Sequence, residues 1–156
     1  MNRLLPAPRR VTKGVAAALA VPFLAGLALL TLTPTRVEER MPNLLDVVLS
    51  TAHRIGWDWL DFTRLEILAN VLVFVPVGIF AFVLMPRRLW PLAVLLGPAI
   101  SVGIELAQRL ALPHRAATVS DVIANSSGAL VGVVLAVCCT LLFAPRARTT
   151  RTLEAS

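Results

Sequence analysis

The amino-acid sequence predicts an all-α polytopic membrane protein, with four transmembrane helices and an amphipathic outer-surface helix between the first and second. Of its 156 residues, 57% are hydrophobic and only 15% are charged, whereas about a quarter of the residues in a soluble domain are charged. Four apolar stretches approach the roughly 20 residues that a helix needs to cross a bilayer. The basic residues lie beside these stretches, as they do in the loops of membrane proteins.

The predicted spans divide the chain into five parts. A basic segment (1–13) precedes the first transmembrane helix (14–33), and a loop (34–64) leads to a core of three spans (65–143) and a basic tail (144–156). Within the core, spans are expected at 65–85, 90–112 and 119–143. The first span has a basic lead like that of a signal peptide. Its apolar body is longer than a usual signal core, and no small-residue cleavage site follows, so we expect an uncleaved helix.

The distribution of basic residues predicts that both termini are cytoplasmic. The inner side then holds Arg3, Arg9, Arg10, Lys13, Arg87, Arg88, Arg146, Arg148 and Arg151. The outer side holds Arg36, Arg40, Arg54, Arg64, Arg109 and Arg115. Glu154 is the one acidic residue on the inner side, and the other acidic residues fall on or near the outer side.

The loop between the first two spans is too long to be a simple turn. Apolar and small residues recur in it at helical spacing: Leu44, Val48, Thr51, Ala52, Ile55 and Trp59. Trp57, Trp59 and Phe62 follow as a candidate aromatic anchor. This pattern indicates an amphipathic helix lying on the outer membrane surface. An ordinary loop with a hydrophobic plug is the alternative.

Polar side chains interrupt three of the spans at similar depths. The stretch SVGIELAQRL carries Glu105, with Gln108 one helical turn further along the same face. Asp121 falls in the first turn of the fourth span, and Asn125 lies one turn deeper. Asn70 lies just inside the second span. In the predicted topology all five fall in the outer third of the bilayer, so we expect them to form a shared polar pocket.

Glu105 and its polar neighbours can be interpreted as functional groups or as purely structural ones. A carboxylate inside a membrane is a candidate functional group by default, and Arg115 in the following loop is a candidate counter-charge. Asn and Gln in membrane helices also serve simply as hydrogen-bonding links between helices. Asp121 could serve only to stabilise the start of its helix through the helix dipole.

A second set of residues is predicted to shape the bundle. Phe74, Pro76 and Gly78 follow Asn70 in the second span, where a proline is expected to bend the helix. Gly128 and Gly132, four residues apart, are expected to let a neighbouring helix approach closely.

Other kinds of site find little support in the sequence. The net charge of +6 would suggest nucleic-acid binding in a soluble protein, but here membrane orientation explains it, and no nucleic-acid partner is expected. Cys138 and Cys139 are adjacent, lack metal-ligand spacing and are read as packing residues. No metal or other cofactor is expected.

Three stretches resemble the VanZ-like family of small bacterial membrane proteins. They are NVLVFVPVG (70–78), SVGIELAQ (101–108) and RAATVSDVIANSSGALVG (115–132). These resemble the family's Asn-x-x-x-Phe-x-Pro-x-Gly stretch, its Ser-x-x-x-Glu-x-x-Gln stretch, and its Arg followed by Asp-x-x-x-Asn-x-x-Gly. The resemblance covers about residues 65–140. Many family members also carry Lys, His-Phe and Tyr at the start of the second span, where this chain reads DWLDFTRLEIL.

The resemblance implies a bacterial cytoplasmic membrane protein with a role in the cell envelope. The family is named for a protein associated with resistance to teicoplanin, so a contribution to glycopeptide resistance is one expectation. A pocket formed by Asn70, Glu105, Gln108, Asp121 and Asn125 with Arg115 would bind a membrane lipid, a lipid-linked cell-wall precursor or another amphiphilic ligand. The chain of that ligand is expected in an apolar groove beside Phe74.

Two further functions stay open. Glu105 and Asp121 could act as acid and base in an enzyme that acts on a polyprenyl- or lipid-linked substrate. The motifs of common hydrolases are absent from the sequence, which favours a protein without catalysis. Alternatively, the protein is a scaffold for envelope machinery, and the polar residues only fix its fold. A homo-oligomer or an envelope-protein partner also stays open.

Overall fold

The computed structural model describes residues 5–33, 42–111 and 119–143, and every regular element in these ranges is helical. The helices are α1 (Arg10–Leu32), α2 (Pro42–Arg54), α3 (Phe62–Leu84), α4 (Ala93–Ala111) and α5 (Val119–Leu142). A 3₁₀ turn, Trp90–Leu92, leads into α4. Four of the described helices, α1, α3, α4 and α5, are long and apolar enough to cross a membrane. The predicted fold class is therefore confirmed.

The helix boundaries follow local capping rather than the limits of the apolar runs. Helix α3 begins at Phe62 rather than at residue 65, because the Asp61 side chain accepts a hydrogen bond from the backbone N–H of Arg64 at 2.8 Å. Both α3 and α4 continue through an internal proline, Pro76 and Pro98 respectively. The predicted basic tail (144–156) and the first part of the predicted loop (34–41) lie outside the described residues.

A helix forms where the amphipathic pattern predicts one, and its apolar side chains are largely exposed. In α2, Leu44 is 55% exposed and Val47 is 59% exposed, although in water such side chains gain from burial. Trp57 and Trp59 follow the helix with their rings 6.2 Å apart, and both are half-exposed. An exposed apolar surface of this kind is typical of contact with a membrane. The location of α2 on the outer membrane surface stays a prediction.

Helices α3 and α5 pack with their backbones almost in contact. A Cβ atom added at Gly128 would overlap the backbone carbonyl of Val71, and one added at Gly132 would overlap that of Val75. On the facing helix, a Cβ atom at Gly78 would overlap the carbonyl of Ala129. The predicted close approach of a helix at Gly128 and Gly132 is therefore confirmed. Gly78 contributes to the same contact from the other side.

The apolar interior consists of two clusters of buried side chains, and both include residues of α3 and α5. One cluster contains Leu27, Phe74, Val77 and Ala129, and Phe74 is only 2% exposed. A second cluster, toward the end of α3, contains Phe82, Ala93, Val133 and Ala136. Cys138 and Cys139 are exposed, so the expectation that they are packing residues is wrong. The buried residues of α5 at this level are Val133 and Ala136, which pack against α3 and α4.

Arg87 ties the N-terminal segment to the loop between α3 and α4. Its Nε donates to the carbonyl of Pro6, and its Nη1 donates to the carbonyl of Phe82, both at 3.1 Å. The guanidinium carbon lies 4.2 Å from the centre of the Phe82 ring, which in turn meets Trp90 edge to face. Partial burial lowers the pKa of Arg87, but an arginine side chain stays protonated in proteins. We call this side of the molecule the Arg87 end.

Candidate functional site

Three side-chain hydrogen bonds join the four long helices at the opposite side of the bundle, which we call the Asp121 end. Asn70 Nδ2 on α3 donates to Asp121 Oδ1 on α5 at 3.2 Å. Asn125 Nδ2 on α5 donates to Ser101 Oγ on α4 at 2.9 Å. Gln108 Nε2 on α4 donates to the carbonyl of Thr31 on α1 at 2.8 Å. Four of the five predicted helix residues therefore take part in one series of contacts that runs from α3 to α1.

The pairing shows how the helices are staggered. At 1.5 Å per residue, Asn70 lies about 12 Å from the start of α3, but Asp121 lies only about 3 Å from the start of α5. Because these residues are hydrogen-bonded, α3 must extend beyond α5 at this end of the bundle. Ser101 lies about 15 Å before the end of α4. Because Ser101 is hydrogen-bonded to Asn125, near the start of α5, α4 also extends beyond α5 at this end. Direct contact brings Asn70 level with Asp121 and Ser101 level with Asn125, whereas Gln108 lies about 10 Å beyond Ser101 along α4.

Glu105 lies inside the bundle, with only 8% of its surface exposed. It is one helical turn from Ser101 and one turn from Gln108, so all three occupy the same face of α4. Ser101 is fully buried and Gln108 is 6% exposed. The carboxylate therefore points into the protein rather than into lipid, as is usual for ionisable residues within membrane helices.

Asn125 is as deeply buried as Gln108. It is 6% exposed, and its Oδ1 atom has no hydrogen-bond partner among the described residues. A buried carbonyl oxygen without a donor costs about 1–3 kcal/mol. In known structures such atoms are usually satisfied by a bound water or by a ligand. Oδ1 of Asn125 is thus an acceptor available to an incoming donor group.

Two contributors to this site were missed by sequence reasoning. Ser101 precedes Glu105 by one turn on the same face, and this spacing could have identified it. Thr31 contributes its backbone carbonyl, which every residue possesses, so no sequence signal points to it. Arg115, the predicted counter-charge, lies outside the described residues, and its role stays a prediction.

The structure places an apolar groove between α1 and α4, and Phe74 is not among its lining residues. The groove has a volume of about 360 Å³ and runs along Leu24, Leu27 and Thr31 on α1 and along Ile100 and Ile104 on α4. Phe74 is buried in the cluster formed with Leu27, Val77 and Ala129. The groove expected beside Phe74 stays a prediction, and Leu27, a member of the Phe74 cluster, lines the observed groove. Phe74 and Gly78 are packing residues, and Pro76 is half-buried in a continuous helix.

Within the described ranges, no group of three or more His, Cys, Asp and Glu side chains could hold a metal ion. The polar cluster, defined as Asn70, Ser101, Glu105, Gln108, Asp121 and Asn125, therefore offers hydrogen-bond donors and acceptors and carboxylates. Its chemistry suits the recognition of hydroxyl, amide or amine groups.

Comparison with known proteins identifies the family. The family model described as VanZ/LLP1 matches residues 15–143. This match includes α1 and α2 in addition to the three spans that carry the motifs quoted above. Comparison with curated proteins and with solved structures gives no match. Because the family model covers most of the chain, this multi-pass membrane protein belongs to the VanZ/LLP1 family.

Proposed function

We propose that this VanZ-like protein acts in the bacterial cell envelope by binding an amphiphilic ligand at the polar cluster. A membrane lipid and a lipid-linked cell-wall precursor both have the required chemistry. The observation that carries the proposal is the position of the cluster. Buried amide, hydroxyl and carboxylate groups of α4 and α5, joined by the half-buried Asn70 of α3, meet beside an apolar groove, so polar and apolar binding surfaces adjoin.

The groups of the cluster have separate roles in this proposal. Asn125 Oδ1 accepts a hydrogen bond from a hydroxyl or amide of the head group, in place of a water molecule. Glu105 accepts from a further donor or attracts an amine. Arg115, placed by the sequence in the loop between α4 and α5, would contact an anionic head group. If the protein contributes to glycopeptide resistance, its ligand would be the lipid-linked precursor or the acyl tail of a teicoplanin-type antibiotic.

A scaffold role is the second candidate, and one observation favours it. Asn70, Gln108 and Asn125 already donate to neighbouring helices, as amides do when they only hold membrane helices together. If this is their whole role, loss of the Glu105 charge will lower thermal stability without changing the bound lipids.

The proposal is tested by the lipids that remain bound to purified protein. Wild-type protein and Glu105→Gln, which removes the charge but keeps the shape, are purified in mild detergent and extracted for mass spectrometry. We expect a defined lipid at near-stoichiometric amount in wild type and a loss of at least about tenfold in the variant, which corresponds to about 1.4 kcal/mol of binding free energy. Asp58→Asn, an equal change of charge at an exposed acid, is the control and should retain the lipid.

An unchanged lipid content in Glu105→Gln, with its melting temperature lowered, would reject the ligand site and support the scaffold role. Loss of the lipid in both Glu105→Gln and Asp58→Asn would also count against a specific site, since it would reflect overall charge.

The proposal also requires that the Asp121 end face outward, as the basic residues predict. In a Cys138→Ser, Cys139→Ser background, a cysteine at Asp58 should react with a membrane-impermeant maleimide in intact cells. A cysteine at Arg88, in the loop at the Arg87 end, should react only after the cells are opened. The reverse pattern of labelling would place the polar cluster on the cytoplasmic side and exclude an outer-leaflet ligand.

A further inference from the structure

The groove between α1 and α4 is open along the surface of the bundle. Leu24 and Leu32 on α1 are 38% and 42% exposed. Gly103 forms part of the opposite wall, and a Cβ atom added there would meet no atom within 4 Å. The groove is therefore an accessible recess whose width depends on the lack of a side chain at Gly103.

The groove lies beside the polar cluster because the two use adjacent faces of α4. Ser101, Glu105 and Gln108 form one stripe at a spacing of four and three residues. Ile100, Ile104 and Ala107 line the groove and form a second stripe, displaced by one residue, or about 100° around the helix. At the Asp121 end the two stripes meet at the hydrogen bond from Gln108 to the Thr31 carbonyl.

The dimensions of the groove match one hydrocarbon chain. From Leu24 to Leu32 the wall on α1 rises about 12 Å, close to the roughly 15 Å thickness of the hydrocarbon in one leaflet. A cavity of about 150 Å³ holds one benzene molecule. A volume of about 360 Å³ therefore accommodates on the order of a dozen carbon atoms. A helix of the same length, roughly 10 Å in diameter, occupies more than about 900 Å³ and would not fit inside.

We propose that this groove binds a single acyl or isoprenoid chain of the ligand whose head group engages the polar cluster. The inference rests on the proposed function and makes it more specific. The chain enters from the leaflet at the Asp121 end and lies along Leu24 and Ile104. Gly103 sets the width of the site, so a larger side chain at that position excludes the chain while leaving the polar cluster in place.

Photo-crosslinking tests the proposal. The full-length protein is reconstituted in phosphatidylethanolamine vesicles that contain a small fraction of phosphatidylglycerol with a diazirine on one acyl chain. After illumination, adducts are located by peptide mass spectrometry. We expect adducts on the groove residues Leu24 and Ile104 to exceed those on the exposed α5 residues Leu130 and Val134 several-fold. Gly103→Leu should remove this excess, and Gly14→Leu, in open space elsewhere on α1, should retain it.

Two further variants distinguish this proposal from the one on which it rests. Ala107→Leu narrows the groove independently and guards against misfolding of Gly103→Leu. If Glu105→Gln keeps the groove adducts while Gly103→Leu loses them, the groove binds a chain although the head-group proposal fails. If Gly103→Leu and Ala107→Leu both keep the excess, or if wild type labels the groove and α5 equally, the groove proposal is overturned.

Discussion

Replacing Gly128 with alanine is expected to destabilise the protein by more than about 3 kcal/mol, at or beyond the upper end of the usual cost of overpacking. The added Cβ would overlap the Val71 carbonyl and would also press against the Cβ of Phe74. A backbone carbonyl cannot move aside by changing rotamer, so α3 and α5 would have to separate. Separation would remove contacts along the whole Gly78, Gly128 and Gly132 surface.

The measurement is the melting temperature in detergent, followed by size-exclusion chromatography. Gly14→Ala is the matched control, because nothing lies within 4 Å of the added Cβ. In an exposed helix interior this change favours the helix by up to about 1 kcal/mol. Equal melting temperatures for the two variants would contradict the close packing of α3 on α5.

Replacing Phe74 with alanine should cost about 3–5 kcal/mol of unfolding free energy, the range for an aromatic side chain lost from a packed core. The ring is 2% exposed and contacts Val77, Ala129 and Leu27. Phe143→Ala is the control, since that ring is 82% exposed at the end of α5. Chemical or thermal unfolding in detergent at matched protein concentration gives both values.

The same variant separates packing from ligand binding. Because Phe74 does not line the groove, Phe74→Ala should lower stability and still retain the bound lipid at temperatures where the protein is folded. Loss of the lipid from folded Phe74→Ala, with little change in melting temperature, would return the ligand chain to the position beside Phe74 that the sequence suggested.

Much of this architecture could be predicted because membrane helices carry strong local signals. The apolar runs fix the four spans, and Gly128 and Gly132 indicate one side of the closest helix contact. The polar residues of α3, α4 and α5 stand out against apolar neighbours, so their convergence could be expected from the alternating direction of the spans.

The groove could not be predicted, because its position depends on which face of α1 packs inward. The buried residues of α1 are Ala16, Ala20 and Leu27, and neighbouring exposed positions carry the same residue types. Composition thus does not distinguish the faces of this helix. The hydrogen-bond partner of Gln108 could not be predicted either, since it is a backbone carbonyl at the end of α1.

The most direct test of the central claim is whether a ligand head group contacts the polar cluster. Solid-state NMR on labelled protein in lipids extracted from its membrane can detect this contact through the side-chain amides of Asn125 and Gln108. We expect cross-peaks between head-group protons and the Asn125 amide, together with cross-peaks between chain protons and Ile104. Cross-peaks from Asn125 to water and protein alone, with lipid contacts spread evenly over α1, α4 and α5, would contradict it.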